Sequence, residues 1–219
     1  FVFLKKNRYD IIYVNLPPNI LTISVFFDRK KNIKIVDILD LWPESFPHGG
    51  SFSKKTAVFL FGGLLKLTRR LAISWSDYCI AESNLFYNKL NLKNKTKSKV
   101  IHLKKFQTEK VALNNPSNNF SIVYLGNIGS IYDFDSLFTI IKELEKFRLV
   151  HLHVIGLGPM GDWFFNKLDV MNISYTYHGA SFDENLKRNI VSNCWFGFNG
   201  FKKNSEVGLS YKSIDYLSY

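Results

Sequence analysis

Short apolar runs rich in β-branched residues, DIIYVNL, IKIVDIL and CIAES, punctuate the first half of the chain and are separated by stretches long enough for helices. Runs of this kind suit strands buried on both faces, so the pattern predicts parallel strands joined by crossover helices. The intervening NILTISVFFDRKKN and KKTAVFLFGGLLKLTRRLAIS read as helices. The second is apolar nearly all round up to Leu65 and then basic at Lys66, Arg69 and Arg70. Polar residues take over in KKFQTEKVALNNPSNN, which carries Pro116 and sets a domain boundary. Strand and helix then alternate through SIVYLG, FDSLFTIIKELEKF, VHLHVIG, LGPMGDWFFNKLDVMN, ISYTYHG, SFDENLKRNIVSN and CWFGFNG to a closing helical segment, GLSYKSIDYLSY. The expectation is an α/β chain of two Rossmann-like doubly wound domains, 1–114 and 115–219, facing a cleft, with ligands held at the carboxyl ends of the strands.

Those strand ends carry glycine: Gly126 and Gly129 in LGNIGS, Gly156, Gly158 and Gly161 in VIGLGPMG, Gly179 in YHGAS. Glycine lets a ligand approach the backbone, and a helix starting next to it offers free N–H groups to phosphate. VIGLGPMG has the form G-x-G-x-x-G between a strand and a helix, yet the next strand end reads YTYHG and lacks the acidic residue that dinucleotide binding adds. A ribose carboxylate has to come from elsewhere. Lys212 and Asp215, three apart in the closing segment, share one helix face. A lysine meets a phosphate as a point charge and a carboxylate accepts both ribose hydroxyls; an ordinary surface ion pair has the same spacing.

Composition narrows the partners. The 219 residues are 46% hydrophobic, enough for a sizeable core, and carry a formal net charge of +11. That excess favours anionic partners, but the basic residues are scattered and no nucleic-acid motif or zinc spacing is present, so no nucleic-acid partner and no metal site is expected. Cys79 and Cys194 lie in apolar surroundings and read as buried free thiols of a reducing compartment. The apolar run of segment 57–75 is about half of the roughly 20 residues a membrane span needs. It reads either as a core helix with a basic end or as an interfacial helix with Phe59, Phe61 and Leu64 inserted and Lys66, Arg69 and Arg70 at the headgroups. Phe1 in the first position and a closing segment without a stop signal read as an internal piece of a longer protein.

Several motifs in order resemble one family. VGLSYKSIDYLSY resembles the donor-binding segment of GT-B glycosyltransferases, especially family 4. LGNIGSIYDFDSL is similar to their interdomain strand and phosphate loop, LHVIGLGPM and YHGASFDENL to the next two strand ends. VDILDLWPES, preceded by DIIYVNLPPN, resembles the D-x-x-DLWPE stretch of bacterial capsule, O-antigen and exopolysaccharide transferases. The resemblance implies a metal-independent, retaining transferase that needs no cofactor and moves a sugar from a nucleotide-diphosphate donor to a glycan or polyprenyl-linked acceptor. It would work in the cytoplasm, peripherally at the inner face of the cell membrane. On this reading Lys212 meets the diphosphate, Asp215 the ribose, and Glu206 the sugar. Gly126, Asn127, Gly129, Gly156 and Gly158 surround the phosphates, and His178 sits toward the nucleobase. Asp40 or Glu44 orients the acceptor hydroxyl, although Asp40 equally suits a turn cap before Trp42 and Pro43. Leu39 stands where many members have histidine, and GNIGSIYDFD lacks their Arg and Lys. A nucleotide-sugar epimerase of the same fold and a non-catalytic nucleotide-binding module are the alternatives.

Overall fold

A computed structural model describes residues 9–22, 32–45, 52–95, 97–104, 120–203, 205, 207, 208 and 210–219, with the backbone alone for 52–60. The chain divides into two compact units, Phe1–Leu103 with Glu206–Leu209, and Lys104–Ser205 with Ser210–Tyr219. Among the described residues each unit has its own four-stranded parallel sheet.

In the first unit β1 (Ile11–Leu16), β2 (Ile33–Ile38), β3 (Tyr78–Ala81) and β4 (Ser98–Val100) lie in the order β1-β2-β3-β4. Helices α1 (Phe52–Trp75) and α2 (Asn84–Lys89) belong to the same unit. Val36 and Ile38 pack with Leu16, Leu41, Ala72, Ala81, Phe86 and Leu92, which places the core on one face of β2. Strand β4 was not expected from the sequence, because Ser98 and Lys99 break any apolar run. Of NILTISVFFDRKKN only a 3-10 turn, Asn19–Leu21, and Thr22 with the final Asn32 are described; the rest of that expected helix and the polar boundary lie outside the described residues.

In the second unit β5 (Phe120–Leu125), β6 (Val150–Ile155), β7 (Tyr175–Tyr177) and β8 (Phe196–Gly197) take the order β7-β6-β5-β8. All six residues of β5 are buried, as a central strand covered on both faces requires. Phe120, Ile122 and Tyr124 pack against α3 (Phe134–Glu145) and α4 (Gly161–Val170), whereas Val123 and Leu125 face α5 (Glu184–Ser192) and α6 (Tyr211–Ser218). The period of two along β5 therefore separates the helices into two layers, which is the doubly wound arrangement. Helix α3 begins at Asp133, whose carboxylate accepts from the Ser136 amide at 3.2 Å, and buries Phe134, Leu137, Phe138 and Ile141 at the i, i+3, i+4, i+7 spacing of one face. The rings of Tyr124 and Phe164 both contact Phe134, at 5.1 and 4.7 Å between centroids, and each such pair adds about 1 kcal/mol to the area it buries.

Candidate functional site

The glycine-bearing strand ends of the second unit converge. The Gly126 amide donates to the Ile155 carbonyl at 2.8 Å, and the Gly156 amide donates to the Gly179 carbonyl at 2.8 Å, so the ends of β5, β6 and β7 are tied in sequence. Gly126 and Gly156 have φ of 122° and 151°, where a side chain is strained. A Cβ on Gly156 would collide with the Gly126 carbonyl, and one on Gly158 with the Ile128 carbonyl and the Asn127 side-chain oxygen. The Ile128 amide in turn donates to Leu157, at 2.9 Å, and its carbonyl accepts from Met160, at 3.0 Å. Gly126, Asn127, Gly129, Gly156 and Gly158 thus form one closely packed backbone cradle.

Helix α6 is fastened beside this cradle by its own polar residues. Ser210 caps it by accepting from the Lys212 amide at 3.2 Å, and the Asn199 side chain, just beyond β8, donates to Ser213 at 2.6 Å and accepts from Ser210 at 3.2 Å. The Tyr216 hydroxyl accepts from the Leu125 amide at 2.9 Å and donates to the Phe198 carbonyl at 3.1 Å, with its ring over Gly197. Lys212 consequently points inward and is only 6% exposed. Its amine donates to the Tyr124 hydroxyl at 2.7 Å and stands 3.9 Å from the Tyr124 ring centroid and 3.4 Å from that of Tyr132. A Cβ on Gly126 would lie 2.8 Å from Lys212 Cε. Among the described residues no carboxylate forms an ion pair with Lys212. Burial pushes its pKa down to about 7. Asp215 is half-buried on the same helix.

Lys212 is therefore not one half of an exposed surface pair: it is a buried amine boxed by two tyrosines, and the sequence reading missed both. Tyr124 is an apolar-run residue whose hydroxyl also donates to the Asn127 carbonyl, and Tyr132 occupies the loop where the expected cations are absent. His178, placed toward a nucleobase from sequence, sits within hydrogen-bonding distance of His153, with Nε2 and Nδ1 3.0 Å apart and the rings stacked at 5.2 Å. Burial, and then the neighbouring imidazoles His151 and His178, push His153 down to about 4.

The candidates of the first unit lie after β2. Asp40 accepts from the Leu41 amide at 2.7 Å and from Ser45 at 3.0 Å, which is the turn-holding role open to it. Glu44 receives both terminal nitrogens of Arg69, at 2.7 and 2.8 Å, and Arg69 also donates to the Trp42 carbonyl at 2.8 Å. Burial would raise the Glu44 carboxyl, but the Arg69 hydrogen bonds, a backbone hydrogen bond and the charges of Arg69 and Lys66 together outweigh it and hold it below the usual carboxylate range. Arg69 is 4% exposed, which corrects its placement among headgroup-facing cations; Lys66 and Arg70 remain exposed. Glu82, which the sequence did not single out, follows β3 and is 4% exposed. Burial, followed by the charges of Asp37 and Asp40, pushes it up to about 7. Glu206, His48 and the Phe59 side chain lie outside the described residues. Cys79 is a buried free thiol, while Cys194, also free, is half-buried rather than fully enclosed. Among the described residues no group of His, Cys, Asp or Glu is arranged to hold a metal ion.

No protein-family model and no curated protein matches the chain. Solved structures match it by fold. TarM of S. aureus in complex with fondaparinux, α-GlcNAc-glycerol and UDP matches 90% of this chain and 38% of its own, at 15% identity and a TM-score of 0.56. The lipopolysaccharide outer core galactosyltransferase WaaB matches 88% of this chain and 50% of its own, at 15% identity and 0.57. Sucrose-phosphate synthase of Thermosynechococcus elongatus matches 92% and 54%, at 12% identity and 0.60. The chain spans between 38% and 54% of the lengths of these three. Two separate parallel sheets, the doubly wound second unit and these matches together give the chain the GT-B fold of glycosyltransferases.

Proposed function

We propose that this chain is part of a glycosyltransferase that moves a sugar from a nucleotide-diphosphate donor to a glycan or polyprenyl-linked acceptor in bacterial surface-polysaccharide synthesis. The buried Lys212 amine behind the glycine cradle carries this reading. An ammonium held beside Gly126 at the end of β5 stabilises the charge that grows on a leaving diphosphate, as a metal ion does in other transferases. Asp215 then takes the ribose and Glu206 the sugar; Gly126, Asn127, Gly129, Gly156 and Gly158 take the phosphates, and His178 lies toward the base. Asp40 and Glu44 take the acceptor side, where Glu44 acts through its pair with Arg69 and Glu82 joins them as a carboxyl poised near neutrality. The similarity to TarM, solved with UDP and α-GlcNAc-glycerol, and to a galactosyltransferase supports the substrate class.

The reaction proceeds with retention, without metal, at the inner membrane face. Incubation of the full-length protein with nucleotide sugars and polyprenyl-linked acceptors tests it. Transfer is expected to persist in chelator, to give the donor's anomeric configuration, and to fall at least about 100-fold in Lys212→Gln, the scale of losing one transition-state charge partner. Turnover of the donor to an epimer without acceptor would replace this reading by the epimerase, and absence of both activities by a nucleotide-binding module.

A further inference from the structure

The resting position of Lys212 is unusual for a group meant to meet phosphate. A lysine that waits for an anion in water extends its ammonium into solvent or rests on a carboxylate. Here the amine turns into the protein, with one tyrosine hydroxyl as its acceptor and two aromatic faces as its walls. Aromatic faces attract a cation, but walls that keep water from a buried amine disfavour its charged form, and here that burial dominates. Among the described residues the titratable groups facing Nζ are Tyr124 from β5 and Tyr132 from the loop before α3, both of which burial keeps in the neutral phenol form at physiological pH. Tyr216 on α6 is likewise neutral, and the residues packed on that helix from the end of β8, Phe198 and Asn199, carry no charge. Among the described residues the walls of the box therefore supply no fixed negative charge, and Asp215, one turn along α6, makes no ion pair with Lys212.

From this geometry we infer that Tyr124 and Tyr132 are positioning residues that store the Lys212 amine partly uncharged, and that binding of the donor diphosphate takes up a proton onto it. The inference rests on the assignment of Lys212 to the diphosphate. The balance is simple: one proton passes from buffer to Nζ, no other bond changes, and the bound state holds an ammonium against the diphosphate. The free amine titrates near 7 and the bound one well above it. Uptake then grows as pH rises through the neutral range.

Titration calorimetry of the full chain with UDP-glucose, UDP-N-acetylglucosamine and GDP-mannose, each in two buffers of different ionisation enthalpy, reads this directly. Both phosphates of these probes are esterified, so neither titrates between about pH 6 and 8. The expected result is uptake that rises across that range, and that falls toward zero at every pH in Tyr132→Ala, where the half-buried ring no longer shields the amine from water. Lys212→Gln separates the two levels of the argument. Binding that depends on Lys212 but shows no uptake in the parent overturns the proton-linked storage and leaves the diphosphate role standing. Binding indifferent to Lys212→Gln, or no binding of any probe, overturns the diphosphate role and the storage with it. Uptake unchanged in Tyr132→Ala overturns the tyrosine box.

Discussion

Glu82 and His153 illustrate how single buried groups set the response of each unit to pH. Glu82 titrates at about 7 in the fold against 4.5 as an ordinary carboxyl. A raised carboxyl binds its proton more tightly when folded, so its contribution is fully present below about 4.5 and is lost as pH rises through 7. His153 titrates at about 4 against 6.5, because burial and two imidazole neighbours disfavour its cation. Its contribution is present above 6.5 and is lost as pH falls to 4. Between those limits the first unit should therefore weaken with rising pH while the second strengthens. Denaturation curves at pH 4 to 7 are expected to lose the first slope in Glu82→Gln and the second in His153→Gln; slopes unchanged by both would remove these groups as the source. At the same scale, Gly156 sits where φ is 151° and a Cβ meets the Gly126 carbonyl. Gly156→Ala should cost about 2 kcal/mol or more, whereas Gly161→Ala, with open space around it, should stay within about 0.5 kcal/mol. Equal costs in urea titration would show that the cradle gives way.

The elements show what a linear pattern can and cannot carry. Strands β1, β2, β3, β5 and β6 were legible because apolar residues predominate in each short run, and α3 because its apolar residues recur along one face. Strand β4 was not legible because three residues with a lysine among them give no period, and β8 shrinks to Phe196–Gly197 within a longer apolar stretch. For the site, the sequence pointed to the glycines and to Lys212. It was silent on Tyr124 and Tyr132, since which face of a buried strand meets which loop is decided by packing. Arg69 is the same lesson on α1. Its spacing from Lys66 matches an exposed basic stripe, but the helix turns it onto Glu44 and Trp42, binding α1 to the turn at 41–45. Arg69→Met would strand a mostly buried carboxylate and should cost about 3 kcal/mol. Lys66, 3.9 Å from Glu44 and half exposed, should cost under about 0.5 kcal/mol as Lys66→Met. Comparable losses in the two variants would show that the Arg69 pair is no anchor.

For the whole molecule, the net charge of +11 and the exposed face of α1 bear on where the proposed transferase works. Among the described residues no helix is long and apolar enough to cross a membrane. Peripheral attachment at an anionic leaflet, the location proposed above, would draw on charge and on side chains that insert part-way. Leu64, Leu67 and Trp75 are each more than half exposed along α1, with Lys66 and Arg70 beside them. Two basic residues near an anionic surface contribute about 2 kcal/mol, which is about 30-fold in partition, and the apolar stripe adds to it. Arg69 has to be left intact, because its loss would act through folding and mimic a loss of binding. Flotation of the full-length protein with phosphatidylserine vesicles should therefore weaken about 30-fold at low salt in Lys66→Gln with Arg70→Gln. The exposed pair Lys202 and Lys203 of the second unit, changed to Gln, removes the same charge from another place. If both double variants lose flotation alike, the attraction belongs to net charge and not to α1; if neither loses it, the proposed membrane face is wrong.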